Sequence, residues 1–332
     1  PEAQITILIA VGSHRATTRE EMVEKFGADV VASERFINHD PHDPSILTRL
    51  DPLPSGGELW LNRMALEADL LVADGFIEPH QFAGFSGGRK SIMPGIAGLQ
   101  TVLASHNAEF TVHPQARSGN LEGNPFQTDM LNAARQAGLA FILNVALDAE
   151  KKVSAAFAGD FEAAHLAGCR YVTNRCAVTA SPAHVVITSN GGYPLDQNVY
   201  QSTKSIMAAD LTCAEGVVII AVNECSDGHG AEGFYQSFKN AKSLTSLLSE
   251  IESRNREETI PDQWVVQLTA SIMMRRKVIM VSSAPAELIK NFGMTPVQNL
   301  EEALTLAGQM IESALTQITV LPEAVSLIIK NE

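Results

Sequence analysis

The amino-acid sequence predicts an α/β protein of two domains with mainly parallel sheets. Apolar runs of strand length alternate along the chain with helical patterns, which is typical of βαβ units. Most of these runs are continuous stretches of Val, Ile, Leu and Ala, as expected for strands that helices cover on both faces. With 332 residues, the chain is long enough for about two domains of ordinary size.

The strands are predicted, in chain order, at residues 5–11, 69–77, 140–148, 184–189, 216–223, 277–282 and 325–330. The first helix follows a capping box within residues 17–21 and ends at Gly27. A proline in the first turn predicts another helix after Asn124-Pro125. Further helices are predicted at residues 161–175, 240–253 and 299–315.

A domain boundary is predicted near residues 177–182, where a Thr-Ala-Ser-Pro turn separates a helix from a new strand. We expect an N-terminal domain of residues 1–176, completed by a last strand within residues 316–332. Residues 177–315 then form a C-terminal α/β domain. Because the chain enters its first strand almost directly after Pro1, we also expect an upstream segment before it.

The composition is that of a globular protein, with 45% hydrophobic and 19% charged residues. A net charge of −14 argues against nucleic acid or an anionic membrane as a partner. It also means that a site for an anionic substrate must be positive locally. The four cysteines form no CxxC pair and are interpreted as reduced thiols of a cytoplasmic protein. No apolar run is long enough to span a bilayer.

The most informative segment is the glycine-rich run 78–90, which starts Glu-Pro-His80 and ends Ser-Gly-Gly-Arg89-Lys90, directly after a predicted strand. Ligand sites of α/β sheets form at such strand ends, and glycines let the backbone approach a ligand closely. A phosphate-binding P-loop is a rival interpretation, but Arg89 stands where the glycine before the lysine should be. Lys90 is therefore a candidate for covalent or anion chemistry. The alternative is a surface lysine paired with a carboxylate.

Three histidines are candidates for one cleft. His14 and His80 follow the ends of two predicted strands, and His106 lies on the next helix. Three unrelated structural histidines are the alternative. His39 and His42 resemble a metal-binding pair, but their Pro-rich context favours a turn with Asx capping.

The second half of the chain offers a candidate anion contact. Gln201 and Lys204 lie about one helical turn apart, so they share a helix face. An amide beside an ammonium suits a carboxylate, and the alternative is a solvated helix face. Trp264, one of two tryptophans, is either a core residue or a ring that stacks on a planar ligand.

Taken together, these motifs resemble the nickel-dependent lactate racemase family. The matching segments are Gly12-Ser13-His14-Arg15, the run 78–90, Ser105-His106-Asn107 and Tyr200-Gln201-x-x-Lys204, with Trp264 a further match. The glycine-rich run is long enough to be highly specific, whereas the other segments alone would be weak. The resemblance implies a two-domain α/β enzyme whose active site lies in the cleft between the domains.

The resemblance also implies a cofactor, the nickel-pincer nucleotide (pyridinium-3-thioamide-5-thiocarboxylic acid mononucleotide), which holds nickel through a carbon and two sulfurs. By the same resemblance, Lys90 tethers this cofactor covalently through a thioamide, and His106 is the protein ligand of the nickel. Tyr200, Lys204 and Trp264 help to hold the cofactor. Cofactor-synthesis proteins are implied as partners.

For a lactate-like 2-hydroxy acid, the resemblance makes His14 and His80 the paired general acid/bases, while Gln201 and Lys204 contact the carboxylate. The chemistry agrees, because the hydrogen on C2 is far too weakly acidic for histidine, with a pKa of about 6.5, to remove as a proton. Removal as hydride to an electron-poor ring, while a base takes the hydroxyl proton, leaves a planar 2-oxo acid. That acid can be reduced on either face. Two bases, one for each enantiomer, suit this symmetry.

The sequence departs from the family in one respect. Family members carry an Asp-rich segment ending in Thr-Arg, which serves the cofactor phosphate and the substrate carboxylate. Neither Thr18-Arg19 nor Thr48-Arg49 has this acidic lead, so we expect the segment upstream. Two alternatives stay open: a zinc-type hydrolase that uses His14, His80 and His106 with a metal-bound water, and a catalytically silent small-molecule-binding relative.

Overall fold

The computed structural model describes residues 4–179, 181–311 and 317–330, without the side chains of residues 213–217. Its strands are β1 (Thr6–Ile9), β2 (Arg35–Asn38), β3 (Leu47–Arg49), β4 (Trp60–Asn62), β5 (Leu71–Phe76), β6 (Pro79–His80), β7 (Gly84–Phe85), β8 (Leu139–Leu147), β9 (Val153–Gly159), β10 (Ala177–Thr179), β11 (Ala183–Thr188), β12 (Cys213–Val222), β13 (Lys277–Val281), β14 (Thr295–Val297), β15 (Ile318–Leu321) and β16 (Ile328–Lys330).

The helices are α1 (Arg19–Phe26), α2 (Ala28–Ser33), α3 (Arg63–Leu66), α4 (Leu99–Ser105), α5 (Ala108–Thr111), α6 (Pro125–Gln136), α7 (Phe161–Cys176), α8 (Val199–Asp210), α9 (Glu232–Asn240), α10 (Leu244–Glu252), α11 (Gln263–Met273), α12 (Ala286–Asn291) and α13 (Leu300–Met310). Short 3-10 turns lie at Pro44–Ile46, Gly88–Ser91, Arg256–Glu258 and Ala324–Ser326. Alternating strands and helices with mainly parallel pairing confirm the predicted α/β class.

The chain divides into two compact units. The first comprises Pro1–Glu78, Ser86–Ser105 and Leu121–Val172, and the second comprises Pro79–Phe85, His106–Asn120 and Thr173–Glu332. No helix of the described residues is both long and apolar enough to cross a membrane. In the described part of the chain Cys169, Cys176 and Cys225 are free thiols, and the Cys213 side chain lies outside it.

The second unit contains a parallel sheet of the described strands in the order β14-β13-β12-β11-β15. Both of its faces are buried. Val186, Ile219 and Met280 pack with helices α8 to α12 on one face, whereas Val185 and Ile220 pack with α13 on the other. This two-sided burial explains why these strands are continuous apolar runs.

The first unit contains a sheet in the order β5-β8-β9, in which β5 and β8 are parallel and β8 and β9 antiparallel. One face buries Ala73 and Ile142. The other face carries apolar side chains that are exposed within the described structure, among them Val72 (47%), Phe76 (42%) and Leu143 (47%). Within the described residues, the expectation of cover on both faces is therefore met on only one face of this sheet. Apolar composition alone does not show whether a neighbouring layer is present.

The C-terminal strands differ from the expectation that residues 316–332 complete the N-terminal domain. β15 pairs in parallel with β11, and β16 pairs in parallel with β10, so both join strands of the second unit. β15 pairs with β11 on the side away from β12 and so provides hydrogen-bond partners for the backbone groups of β11 on that side. Residues 316, 331 and 332 lie outside the described residues. The other expected domain bounds stay a prediction.

The local helix signals agree with the structure. Thr18 and Glu21 form the predicted capping box of α1, and Asn124 caps α6 with Pro125 in its first turn. The predicted helix 240–253 corresponds to α10, which starts later because Ser243 forms its own capping box. The predicted helix 299–315 is α13, which ends at Met310, and residues 312–315 lie outside the described part.

Candidate functional site

Lys90 lies in a tight glycine turn of the first unit. Gly87 and Gly88 have φ values of 76° and 52°, in the left-handed region that favours glycine. A Cβ on Gly87 would lie 2.9 Å from both the Asn144 Oδ1 and the Phe76 carbonyl oxygen. The Gly88 N–H donates to the Asn144 Oδ1 at 2.8 Å, which fixes the turn beyond the end of β5. The 3-10 turn at Gly88–Ser91 contains the half-buried Lys90.

The neighbouring Arg89 is fully buried and connects this turn to the core of the first unit. Its Nε donates to the Gln127 Oε1 at 2.6 Å, and its Nη1 donates to the Gly87 carbonyl at 3.2 Å. The same Nη1 lies 2.8 Å from the His165 Nε2. The His165 Nε2 also lies 2.9 Å from the Ser86 carbonyl oxygen, so the tautomer of the ring decides which of these two groups it bonds.

Burial dominates the titration of this inner network. Burial, and next the Arg89 charge, lowers the pKa of His165 to about 3. Burial likewise lowers the pKa of Arg89 to about 10 and raises the pKa of Cys169 to about 12. His165 and Cys169 are therefore neutral at pH 7, while Arg89 keeps its charge. The network supports the Lys90 turn with one buried cation.

His14 follows β1 in an exposed turn of the same unit. Gly12 has a φ of 59°, and its N–H donates to the Gly95 carbonyl at 2.9 Å. The His14 N–H donates to the Val11 carbonyl at 3.0 Å. The loop that carries His14 is thus bonded to the segment that follows the Lys90 turn.

In the second unit, four aromatic side chains form a row, which we call the imidazole row: His80, Phe82, His106 and Trp264. His80 and Phe82 meet edge to face with ring centroids 4.6 Å apart, and Phe82 meets His106 in the same way at 5.3 Å. His106 lies 4.6 Å from Trp264. The His80 Nδ1 accepts a bond from the Ala83 N–H at 3.3 Å, so a neutral ring carries its proton on Nε2.

His106 is 8% exposed and lies between α4 and α5. The next residue, Asn107, caps α5 by accepting a bond from the Phe110 N–H at 3.0 Å. Gln267, which is buried on α11, donates to the Ala108 carbonyl at 3.2 Å. These bonds hold the backbone directly after His106 and so orient its imidazole.

Tyr200 lies near Trp264 and Asp262, and both affect the pKa of its phenol. Burial, and next the Asp262 charge, raises the pKa of Tyr200 well above its usual range. The phenol therefore stays neutral at pH 7.

Gln201 and Lys204 lie on α8 beside Tyr200 and are both half-buried. Asn198 caps this helix, since its side chain accepts a bond from the Gln201 N–H at 2.9 Å. The shared helix face that the spacing predicts is therefore present. A half-buried amide and ammonium side by side suit a carboxylate ligand.

His39 has a structural role. It is 2% exposed, and its Nε2 and Nδ1 lie 2.9 Å from the Ala97 carbonyl and 3.1 Å from the Asn62 Nδ2. The His42 N–H donates to the Asp40 Oδ1 at 2.9 Å, which is the Asx turn that the sequence favours. The residues described contain no group of three or more His, Cys, Asp or Glu side chains arranged to hold a metal.

The predicted site residues are divided between the two compact units. Those in the second unit are His80, His106, Tyr200, Gln201, Lys204 and Trp264, and those in the first are His14 and Lys90. Their roles stay predictions. Sequence reasoning missed Phe82, although it lies inside the glycine-rich run. It also missed His165 and Asp262. Neither residue belongs to a recognisable motif, and each lies far in sequence from the residue that it affects, Arg89 or Tyr200.

The fold and these side chains are those of an α/β enzyme. Residues 1–119 match the family model of the lactate racemase N-terminal domain, and residues 178–329 match that of the lactate racemase C-terminal domain. The chain belongs to the lactate racemase family, and it is an isomerase of the racemase type.

Two curated relatives align with nearly the whole chain. A lactate racemase of Thermoanaerobacterium thermosaccharolyticum is 52% identical over 331 residues, which cover 99% of this chain and 78% of the relative. A lactate racemase of Lactiplantibacillus plantarum is 46% identical with the same coverage.

Solved structures agree with this assignment. The structure of the lactate racemase apoprotein from Thermoanaerobacterium thermosaccharolyticum superposes with a TM-score of 0.97 at 52% identity, covering 99% of this chain and 79% of that one. A crystal structure of a Thermotoga maritima protein, 19% identical, gives a TM-score of 0.70 and covers 98% of this chain and 86% of that one. This second likeness shows the fold alone.

Proposed function

We propose that this enzyme interconverts the two enantiomers of a 2-hydroxy acid, with lactate as the first candidate substrate. The observation that carries the proposal is the imidazole row, which orients His80 and His106 beside Trp264. Relatives that are 46–52% identical and named lactate racemase support the choice of substrate. The substrate must carry a carboxylate and a hydroxyl group on the same carbon, C2.

We further propose that the nickel-pincer nucleotide is attached to Lys90, with His106 as the protein ligand of its nickel. His106 fits this role, because a neutral imidazole is a suitable nitrogen ligand for nickel and its ring lies beside Trp264. The glycine turn fixes the backbone at Lys90, since a Cβ on Gly87 would clash with Asn144 and with the Phe76 carbonyl oxygen. When bound, this group supplies an electron-poor ring that accepts the C2 hydrogen with its electron pair.

His14 and His80 are proposed to exchange the hydroxyl proton, one for each enantiomer. Each imidazole must accept the proton from the substrate hydroxyl group or return it, so its nitrogen must come within hydrogen-bond reach of that oxygen. The His80 Nδ1 is already engaged by the Ala83 N–H, so its Nε2 is the atom that we assign to this exchange. His14 is exposed, and its loop is anchored through Gly12.

Gln201 and Lys204 are proposed to bind the substrate carboxylate, and Lys204, Tyr200 and Trp264 to hold the cofactor. A positive side chain is needed because the chain carries a net charge of −14, which repels anions at long range. The amide adds a neutral donor to the ammonium. Lys204 is half-buried, which strengthens its attraction for a carboxylate relative to a fully solvated lysine.

The test is stereoinversion by the cofactor-loaded enzyme. The protein is produced together with cofactor-synthesis proteins, which we propose as its partners in the cytoplasm, and is given single enantiomers of lactate, malate and an aromatic 2-hydroxy acid. Chiral chromatography should show both enantiomers at equilibrium for at least one substrate, and lactate is expected. Intact mass should show a nucleotide-sized adduct on Lys90. A loaded enzyme that inverts none of these acids would refute the proposal.

A further inference from the structure

Asn190 follows β11, is 1% exposed, and reaches into one turn of α8. Its Nδ2 donates to the Gln201 carbonyl at 2.7 Å and to the Leu195 carbonyl at 2.5 Å. Its Oδ1 accepts a bond from the Ser205 N–H at 3.2 Å. In an uninterrupted helix, a carbonyl and the N–H four residues later pair with each other. Asn190 therefore engages both polar groups of the turn that carries Gln201 and Lys204.

A second asparagine fixes the first. Asn223, at the end of β12 and 2% exposed, accepts a bond from the Asn190 N–H at 2.9 Å through its Oδ1. Its Nδ2 donates to the Ser205 Oγ at 3.3 Å, and its own N–H donates to the Val281 carbonyl at 3.1 Å. Two buried asparagine side chains therefore connect the ends of β11 and β12 to the α8 turn by hydrogen bonds.

We propose that Asn190, held by Asn223, is a positioning residue that sets the α8 turn so that Gln201 and Lys204 meet the substrate carboxylate. This inference rests on the proposed function of those two residues. Hydrogen bonds from a buried side chain to one turn of a helix fix the position of that turn and therefore where its side chains point. A hydrogen bond to the substrate weakens steeply when donor and acceptor leave their preferred distance and angle.

The chemistry requires an amide at this position. Two carbonyl oxygens, those of Leu195 and Gln201, face the Asn190 Nδ2, while one N–H, that of Ser205, faces its Oδ1. Only asparagine offers two donors and an acceptor at this reach. An isosteric carboxylate would place an anion against the two carbonyl oxygens and push the turn away.

The test is Asn190→Asp in the cofactor-loaded enzyme, with rates normalised to the adduct measured by intact mass. We expect KM for lactate to rise about tenfold while kcat stays within about twofold, because a carboxylate contact serves ground and transition states alike. Lowering the pH should protonate the new carboxyl group, restore one donor and bring KM back toward the wild-type value. Lactate binding to the cofactor-free protein can be followed by the NMR signals of the Gln201 side-chain amide. In Asn190→Asp, the midpoint of this titration should lie at a higher lactate concentration than in the wild type.

Two further variants keep the proposal falsifiable. Thr188→Val removes a buried bond of 3.1 Å to the Ser205 carbonyl in the same cluster without touching the Gln201 carbonyl, so KM should not change. Asn223→Ala should raise KM by less than Asn190→Asp, and it decides the matter if Asn190→Asp does not fold. If the asparagine variants have the same KM as Thr188→Val, the inference about Asn190 is overturned, while the proposed function stands. If the wild-type enzyme inverts no hydroxy acid, the proposed function and the inference both fall.

Discussion

The Lys90 turn and the imidazole row are held in place by different means. In the first unit, left-handed glycines, the Asn144 amide and the buried Arg89 fix the backbone around Lys90. In the second unit, ring edges hold His80 and His106 through Phe82 and Trp264. If Lys90 carries the cofactor as proposed, its backbone must be held at a fixed position. The proposed proton exchange at His80 and metal binding at His106 instead require that the plane of each imidazole ring is fixed.

The largest expected effect breaks the first region. Lys90→Arg keeps the positive charge but removes the amine that is proposed to form the thioamide, so intact mass should show no adduct and turnover should fall by about 10³-fold or more. Lys152→Arg, on the turn between β8 and β9, is the matched control and should keep the adduct. Nickel retained by Lys90→Arg would contradict the tether.

His80→Gln breaks the second region without removing the cofactor. We expect kcat to fall by about 10²–10⁴-fold because the proposed general acid/base is lost, while the adduct and nickel are retained. His42→Gln, an exposed histidine, should leave kcat unchanged. Metal analysis and steady-state kinetics check this prediction. Loss of nickel from His80→Gln would instead make His80 part of the metal site.

Phe82→Leu sharpens the comparison, because it keeps an apolar side chain but removes the ring edges that meet His80 and His106. We expect kcat to fall about tenfold and stability to fall by about 1 kcal/mol. Phe292→Leu, at a fully buried position of the same unit, should cost similar stability with little effect on kcat. Equal losses of kcat in both variants would show that packing, not ring orientation, is responsible.

The last prediction concerns stability rather than turnover, and it tests the network around Arg89 and His165. The folded protein keeps His165 neutral down to a pH of about 3, whereas the unfolded chain binds this proton below about 6.5. The free energy of unfolding should therefore fall with decreasing pH across this window, by about 1.4 kcal/mol per pH unit for this group. His165→Gln should remove that slope, and the exposed His42→Gln should keep it. Urea unfolding at several pH values tests this, and identical slopes in all three proteins would count against it.

The sequence predicted the central strands of the five-stranded sheet better than the short strands of the first unit. Continuous apolar runs marked β11, β12 and β13 because both faces of their sheet are buried. The short strands β2, β3 and β4 had no such signal, since each is only three or four residues long. Capping residues such as Thr18 and Asn124 were readable because caps act within a few residues.

The candidate site was predictable wherever a short motif carried it. His80 and Lys90 share one glycine-rich run, and Gln201 and Lys204 share one helical turn. The partners that orient them had no such signal. Arg89 and His165 lie 76 positions apart, so only the folded chain brings them together.

By itself, the sequence determined the α/β class, most of the longer helices and strands, and the residues that resemble the family's site, because these depend on local pattern and composition. The tertiary structure decided which edges the last strands join, that Asn190 enters α8, and that the β5-β8-β9 sheet exposes one apolar face. Those outcomes depend on contacts between segments far apart in the chain, and no local pattern specifies them.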